Sequence, residues 1–230
     1  MATKQLWLFF FGLFCCPVAL LAQSPSGTSH ALKLNVGMGF SNEVGMENNV
    51  PDFILHIPNS SMAVEFSYQA LFFQEKMHLG IGLGYQSKAC TKTYGYQEFF
   101  NGFPSISNSH YQTALSLPIE LGYQFKLAPK HALTADALII PFWATSSTIL
   151  YDPGDTPIEN YTYDGGMNLD VGLQLGYQLQ LTKRLTGQVA ARATMSPFPS
   201  TTHNGESLVS VEFYTVQLQL GLHYRLGAVL

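Results

Sequence analysis

The residues of this sequence that could carry out chemistry are a few serines and histidines. Ser109 and His110 are adjacent, and His78 and His223 lie far from them in the chain. A serine nucleophile needs a histidine base within hydrogen-bond reach and an acid that orients the histidine. Ser109 and His110 fall at the border of a predicted strand, where adjacent side chains diverge. Because no Ser/His/acid arrangement is evident, we predict that the protein is not an enzyme.

Two further motifs could hold a metal ion or a nucleotide. Residues 151–155 read Tyr-Asp-Pro-Gly-Asp, and Glu159 and Asp164 add oxygen atoms of the kind that Ca²⁺ prefers. This segment lacks the regular spacing of a calcium loop, and its sequence is also common in turns. Residues 80–84, Gly-Ile-Gly-Leu-Gly, have a period of two and therefore indicate a strand rather than a phosphate-binding loop. We predict neither a metal nor a cofactor.

The elements that would position these residues are long strands with strict alternation. From Met167 to Leu181 every odd position is apolar and every even position is polar or glycine, which is the period of a β-strand. Similar alternation predicts eight strands, at 31–40, 61–73, 77–88, 110–127, 132–144, 167–181, 185–196 and 211–226. The strand at 132–144 is ambiguous, because Leu138, Ile140 and Phe142 share a face with Thr134 and Asp136.

The connections between these strands alternate in length. Long segments at 41–60, 89–109, 145–165 and 197–210 alternate with very short turns at 74–76, 128–131 and 182–184. An even number of strands with long loops at one end and short turns at the other is typical of outer-membrane barrels. The predicted fold is all-β: an eight-stranded antiparallel transmembrane β-barrel, arranged as an up-and-down meander with long loops on one side.

Composition decides which face meets lipid. Charged residues make up 11% of the chain, against about 25% in ordinary soluble domains. A soluble barrel would carry Lys and Glu on its polar face, whereas this polar face is mostly Gly, Gln, Ser and Asn. The apolar face ends in aromatic residues, which prefer the membrane–water interface. We therefore expect outer-membrane lipid as a partner and, at a net charge of -4, no nucleic acid.

The interior of an eight-stranded barrel is only wide enough for its own side chains. Charges on the inward face must pair there, so the alternation predicts a network that plugs the lumen. Its predicted members are Lys33, Glu65, Glu120, Lys126, Asp136, Asp170, Arg192 and Arg225.

The ends of the sequence and its most aromatic loop complete the organisation. Lys4, the apolar run 6–21 and Ala22 predict a signal peptide at 1–22, followed by one barrel domain at 23–230 in the bacterial outer membrane. The segment 89–109 contains a cluster of aromatics among few charges: Tyr94, Tyr96, Phe99, Phe100 and Phe103. These residues either form an extracellular binding surface or pack over the barrel mouth as a lid, and the sequence leaves both open.

The chain also resembles the porin-like outer-membrane barrels of Bacteroidetes. The similarity lies in Leu-Leu-Ala-Gln at 20–23, in Leu-Ser-Leu-Pro-Ile-Glu-Leu-Gly-Tyr at 115–123, and in Gly-Leu-His-Tyr-Arg-Leu at 221–226. The segment 115–123 is similar to a strand of PorT-like proteins, and the segment 221–226 resembles the signal read by the barrel-assembly machinery. The resemblance implies an outer-membrane barrel that uses this machinery during biogenesis.

The functional prediction is an integral outer-membrane barrel with a structural or loop-binding role. One alternative, implied by the PorT-like resemblance, is an accessory component of a secretion or assembly machine that contacts another protein. A second alternative is a lipid A-modifying enzyme, since some barrels of similar architecture use Ser and His at the membrane rim.

Overall fold

The computed structural model describes residues 29–44, 53–95, 106–152, 167–197, 200–204 and 207–226. Every regular element within these ranges is a β-strand. The strands are β1 (Ser29–Val44), β2 (Phe53–Phe72), β3 (Met77–Gly95), β4 (Ile106–Ser116), β5 (Ile119–Ala128), β6 (His131–Asp152), β7 (Met167–Gln180), β8 (Leu185–Met195), β9 (Ser200–Asn204) and β10 (Ser207–Leu226). No helix among the described residues is long and apolar enough to cross a membrane.

The strands pair with their sequence neighbours and close into a ring. The order is β1, β2, β3, then β4 together with β5, then β6, β7, β8 and β10. β10 pairs back onto β1, from His30↔Leu226 to Val44↔Glu212. β9 pairs with the first residues of β10 and so extends the hairpin that β8 and β10 form. The ring thus has eight antiparallel strand positions, which confirms the predicted up-and-down barrel.

One predicted strand, 110–127, is interrupted by proline. β4 and β5 lie on either side of Leu117 and Pro118, and both pair with β3 and β6. Pro118 has no N–H to donate, and Pro141 of β6 also lacks one, so the regular ladder breaks here. The register continues nevertheless, since Ser116 pairs with Gly84 and Ile119 pairs with Ile81. β4 and β5 therefore act as two halves of one strand.

The strands extend well beyond the predicted bounds at the long-loop end. β2 begins at Phe53 rather than 61, β3 ends at Gly95 rather than 88, and β6 ends at Asp152 rather than 144. β9 also lies inside a segment that was predicted to be a loop. The alternation of apolar and polar residues fades in these stretches of the sequence, so periodicity alone did not extend the predicted strands.

Short turns close the opposite end. They lie at 73–76, between β2 and β3, at 129–130, between β5 and β6, and at 181–184, between β7 and β8. In the first turn Phe73, Gln74 and Glu75 have φ values of 52°, 60° and 64°, in the left-handed region. Such a conformation is uncommon for residues with side chains, so this turn carries local backbone strain.

The outward face is an apolar band between two aromatic belts. On β10, Val216, Leu218, Leu220 and Leu222 point outward and are 49–60% exposed. Tyr214 and Tyr224 bound this stretch, and the ten residue-to-residue steps from one to the other span about 33 Å along the strand. At a tilt near 40° this gives roughly 25 Å of height, the thickness of the apolar band of an outer-membrane barrel. The aromatic and apolar residues thus face lipid, as predicted.

The inward face resolves the ambiguity of β6. Leu138, Ile140 and Phe142 are as deeply buried inside the barrel as Thr134 and Asp136. The inward face of β6 therefore changes from polar to apolar along its length.

Candidate functional site

The interior of the barrel holds a stack of ion pairs, which we call the lumenal network. It consists of Lys33, Glu65, His78, Lys88, Glu120, Asp136, Asp170, Gln174 and Arg192, all of them buried. Three positions on the inward face of β3 mark its levels, from the short-turn end upward: Gly80 lies against Glu120, Gly84 lies against Glu65, and Lys88 is itself a member.

At the lowest level, Lys33 of β1 reaches across the lumen to β5. Its Nζ lies 2.8 Å from Oε2 of Glu120, and the other oxygen of Glu120 accepts a hydrogen bond from Gln69 of β2. Nearby, Nε2 of His78 lies 3.1 Å from Oδ1 of Asp136. These contacts connect β1, β2 and β5 to one another and bring β3 close to β6, so five strand positions of the ring take part.

The middle level is built around Arg192 of β8. Its guanidinium donates two parallel hydrogen bonds to Glu65 of β2, at 2.5 and 2.7 Å. The Nε atom donates to Gln174 at 3.1 Å, and Gln174 donates to Asp136 at 3.0 Å. This bidentate geometry is the strongest form of arginine–carboxylate pairing, and Gln174 couples it to the level below.

At the upper level, Lys88 of β3 pairs with Asp170 of β7. Its Nζ lies 2.5 Å from Oδ2 of Asp170, whose other oxygen accepts a hydrogen bond from Ser196 at 2.6 Å. The same ammonium group lies 4.6 Å from the centre of the Phe142 ring. The apolar stretch of β6 thus shields this pair and contributes a cation–π contact.

The structure places six of the eight sequence-predicted network residues in the interior and two elsewhere. Lys126 is exposed at the short-turn mouth, so its assignment to the buried network is wrong. Arg225 lies at the same mouth, half-exposed, with Nη2 2.9 Å from Oε2 of Glu75. Both residues stand on the polar face but beyond the level at which the barrel excludes solvent.

Sequence reasoning missed Lys88 as a network member and named no partner for His78. Lys88 ends the predicted strand 77–88 and continues the polar series of Gln86, which was the available signal. His78 also stands on that polar face. Its acidic partner Asp136 comes from β6, and only the folded ring brings the two together.

Inward glycines provide the space that these ionic side chains occupy. A Cβ atom built on Gly80 would lie 2.5 Å from Oε1 of Glu120. A Cβ atom on Gly122 would collide with Asp136 and with the imidazole ring of His78. The period-two glycines of 80–84 thus belong to the barrel interior, as the sequence indicated.

The serine and histidine candidates do not meet. Ser109 pairs with Thr91 of β3, and their hydroxyl groups are 2.9 Å apart. Thr91 is 13 residues beyond His78 on β3, roughly 43 Å along the strand. His223 lies at the same end as His78, and its Nε2 is 2.7 Å from Oε1 of Gln188.

The predicted loop surface falls almost entirely outside the described residues. Tyr94 is in β3, paired with Ile54 and Ile106, whereas Tyr96, Phe99, Phe100 and Phe103 are not among the described residues. Most of the acidic segment 151–164 and the predicted signal peptide 1–22 lie outside them as well. Among the residues that are described, no group of three or more His, Cys, Asp or Glu side chains could hold a metal ion.

An apolar exterior around a polar, ion-paired interior is the arrangement of outer-membrane β-barrels. The chain is therefore a membrane-spanning barrel of this class, located in the bacterial outer membrane and surrounded by its lipid.

Comparison with known proteins adds the following. No protein-family model matches the sequence, and no curated protein matches it. Among solved structures, the chain is similar to Neisserial surface protein A, with 10% identity, a TM-score of 0.46, and coverage of 87% of this chain and 100% of that one. It is also similar to the outer-membrane protein OprG of Pseudomonas aeruginosa, with 8% identity, a TM-score of 0.47, and coverage of 90% and 99%. Outer-membrane protein AlkL has 13% identity, a TM-score of 0.44, and coverage of 90% and 94%. Similarity at this level carries no information about activity, ligand or partner.

Proposed function

We propose that this protein is a plugged outer-membrane scaffold that uses its long-loop end for binding and performs no catalysis. The observation that carries the proposal is the lumenal network, because its ion pairs reach across the barrel at three successive levels. A solute would have to displace buried charges at every level. The barrel then serves as a rigid support, and recognition falls to the loops that it holds.

The aromatic cluster at Tyr94, Tyr96, Phe99, Phe100 and Phe103 is the proposed binding surface. It begins at Tyr94, in the last residues of β3, and continues in the segment that follows this strand. Aromatic side chains supply much of the binding energy of protein interfaces. The proposed partner is a protein at the cell surface, or a subunit of a secretion machine if the PorT-like resemblance extends to function.

The plug is tested by solute flux. Liposomes containing the protein should swell in a small sugar no faster than empty liposomes. Replacing Arg192 and Glu65 together with alanine should raise the rate, while the variant keeps the gel shift between unboiled and boiled samples that marks a closed barrel. Rapid swelling with the wild-type protein would contradict the plug.

The binding surface is tested by photo-crosslinking in cells. A photoreactive side chain at Phe100 should form an adduct with another protein, and the same group at the lipid-facing Phe40 should label lipid alone. Adducts with secretion subunits would favour the accessory role. The photoreactive side chain is placed in turn at each of the five aromatic positions. If none of them forms an adduct with a protein, the loop-binding role is refuted. Altered lipid A in a Ser109→Ala strain would refute the assignment as a non-enzyme.

A further inference from the structure

We infer that the outer surface of the barrel holds a binding site for an anionic phospholipid at the short-turn end of β7, β8 and β10. The site combines an apolar groove centred on Gly187 with the basic turn that joins β7 to β8. It is independent of the proposed loop function.

The groove is a gap in the lipid-facing wall. It has a volume of about 480 Å³ and is lined by apolar side chains on both sides of Gly187, among them Leu179, Leu181, Leu222 and Leu34. Leu179, Gly187, Leu222 and Leu34 form one cross-strand row, so the glycine leaves a notch in a wall of leucines. A Cβ atom on Gly187 would meet nothing closer than Leu181 Cδ1 at 3.7 Å. Unlike the inward glycines, this one makes room on the membrane side.

Polar groups border the groove at its short-turn end. Tyr177 lines the groove, and its hydroxyl group is hydrogen-bonded to Nδ1 of His131. Tyr224 stands two residues beyond Leu222 on the same face, and Nη1 of Arg184 lies 3.4 Å from its hydroxyl oxygen. Lys183 is exposed beside Arg184. The guanidinium group of Arg184 and the ammonium group of Lys183 are suited to bind a phosphate. The apolar notch is suited to bind an acyl chain.

The charge distribution of the barrel supports an anionic headgroup at this end. The described residues of the short-turn end include one acid, Glu75, and six basic residues: Lys76, Lys126, Lys130, Lys183, Arg184 and Arg225. At the opposite end, the last residues of the described strands include three acids and one basic residue: Glu43, Asp152, Glu212 and Lys92. In the outer-membrane layout the short turns are periplasmic, so the basic rim meets the phosphates of that leaflet.

The site is tested by native mass spectrometry of the full chain in detergent with equal amounts of phosphatidylglycerol and phosphatidylcholine. The wild-type protein should retain phosphatidylglycerol preferentially. Lys183→Gln with Arg184→Gln should lower that retention by about 30-fold, since each basic residue near anionic lipid contributes about fivefold. Gly187→Leu should lower retention of phosphatidylglycerol by about fivefold through lost packing of the acyl chain.

Two matched controls separate a site from general effects. Lys76→Gln with Lys126→Gln removes the same charge from the rim away from the groove, and Ala137→Leu adds the same bulk to the lipid face elsewhere. Each control should lower retention of phosphatidylglycerol several-fold less than the variant that it matches, and every variant should keep its heat-dependent gel shift. Equal retention of the two lipids by the wild type, or equal losses in a variant and its control, would overturn the inference.

Discussion

Replacing Arg192 with methionine should be among the most destabilising single changes in this barrel. The guanidinium group is buried and donates two hydrogen bonds to the equally buried Glu65, at 2.5 and 2.7 Å. A hydrogen bond to a charged group contributes about 1.5–3 kcal/mol, so the two together are worth about 3–6 kcal/mol. Breaking a buried ion pair from one side costs about 3–5 kcal/mol, because the other charge is left uncompensated. We therefore expect Arg192→Met to lower the free energy of unfolding by about 3–5 kcal/mol.

The measurement is a double-mutant cycle in urea, with the protein folded into phospholipid vesicles. Glu65→Leu alone should cost a similar amount, whereas the double variant should approach the wild type, because replacing both charges with apolar groups is often neutral. The coupling energy would then equal the sum of the two single losses, about 6–10 kcal/mol. The half-exposed pair of Arg225 and Glu75 is the control, with an expected coupling of at most about 1 kcal/mol.

A coupling below about 1 kcal/mol at Arg192 and Glu65 would refute the reasoning. It would mean that water reaches the pair and that the lumen is not a buried, ion-paired interior. The plug that we propose would fail with it.

Three further perturbations test other parts of the interior. Lys88→Met should cost about 3–5 kcal/mol in the same urea titration, and adding Asp170→Asn should restore much of the loss, because the buried carboxylate then becomes neutral. Gly122→Val should destabilise by about 1–3 kcal/mol or lower the yield of folded protein on cold SDS gels, while the same change at Gly187 should be nearly neutral, since only the first glycine abuts charged side chains. Phe142→Ala should cost about 3–5 kcal/mol, and a loss below about 1 kcal/mol would show that β6 does not bury its apolar stretch in the lumen.

Strand number, pairing order and the lipid-facing side could all be predicted from the sequence. Alternation assigns residues to faces wherever one face is uniformly apolar, as in β7 and β10. It failed to assign β6, because the inward face of this strand changes from polar at Thr134 and Asp136 to apolar at Leu138, Ile140 and Phe142. Periodicity cannot identify such a change, since it depends on what the other strands place across the interior.

The pairing of the charges was beyond sequence reasoning for a related reason. Glu65 meets Arg192 127 residues away, and Lys33 meets Glu120 87 residues away. The stagger of the strands around the closed ring decides which inward residues lie at the same level. The sequence of a single strand does not encode this stagger. Lys126 was misassigned for the same reason. Its side of the strand was predicted correctly, but its position along the barrel axis, at the exposed short-turn mouth, was not.

The lumenal network also explains how one register is selected from the many that a closed sheet permits. A shift of one residue between two strands would turn every inward side chain of one of them toward lipid. For β8 this would expose Arg192 to the bilayer, at about 2–4 kcal/mol, and would also break its contacts with Glu65 and Gln174. A shift of two residues would keep each side chain on its face but would carry Arg192 away from the level of Glu65. The apolar exterior opposes the first shift but tolerates the second, because one leucine then replaces another against the lipid. Discrimination between registers that keep the same face outward therefore comes from the ion pairs inside the barrel, although much of their Coulombic energy is offset by desolvation.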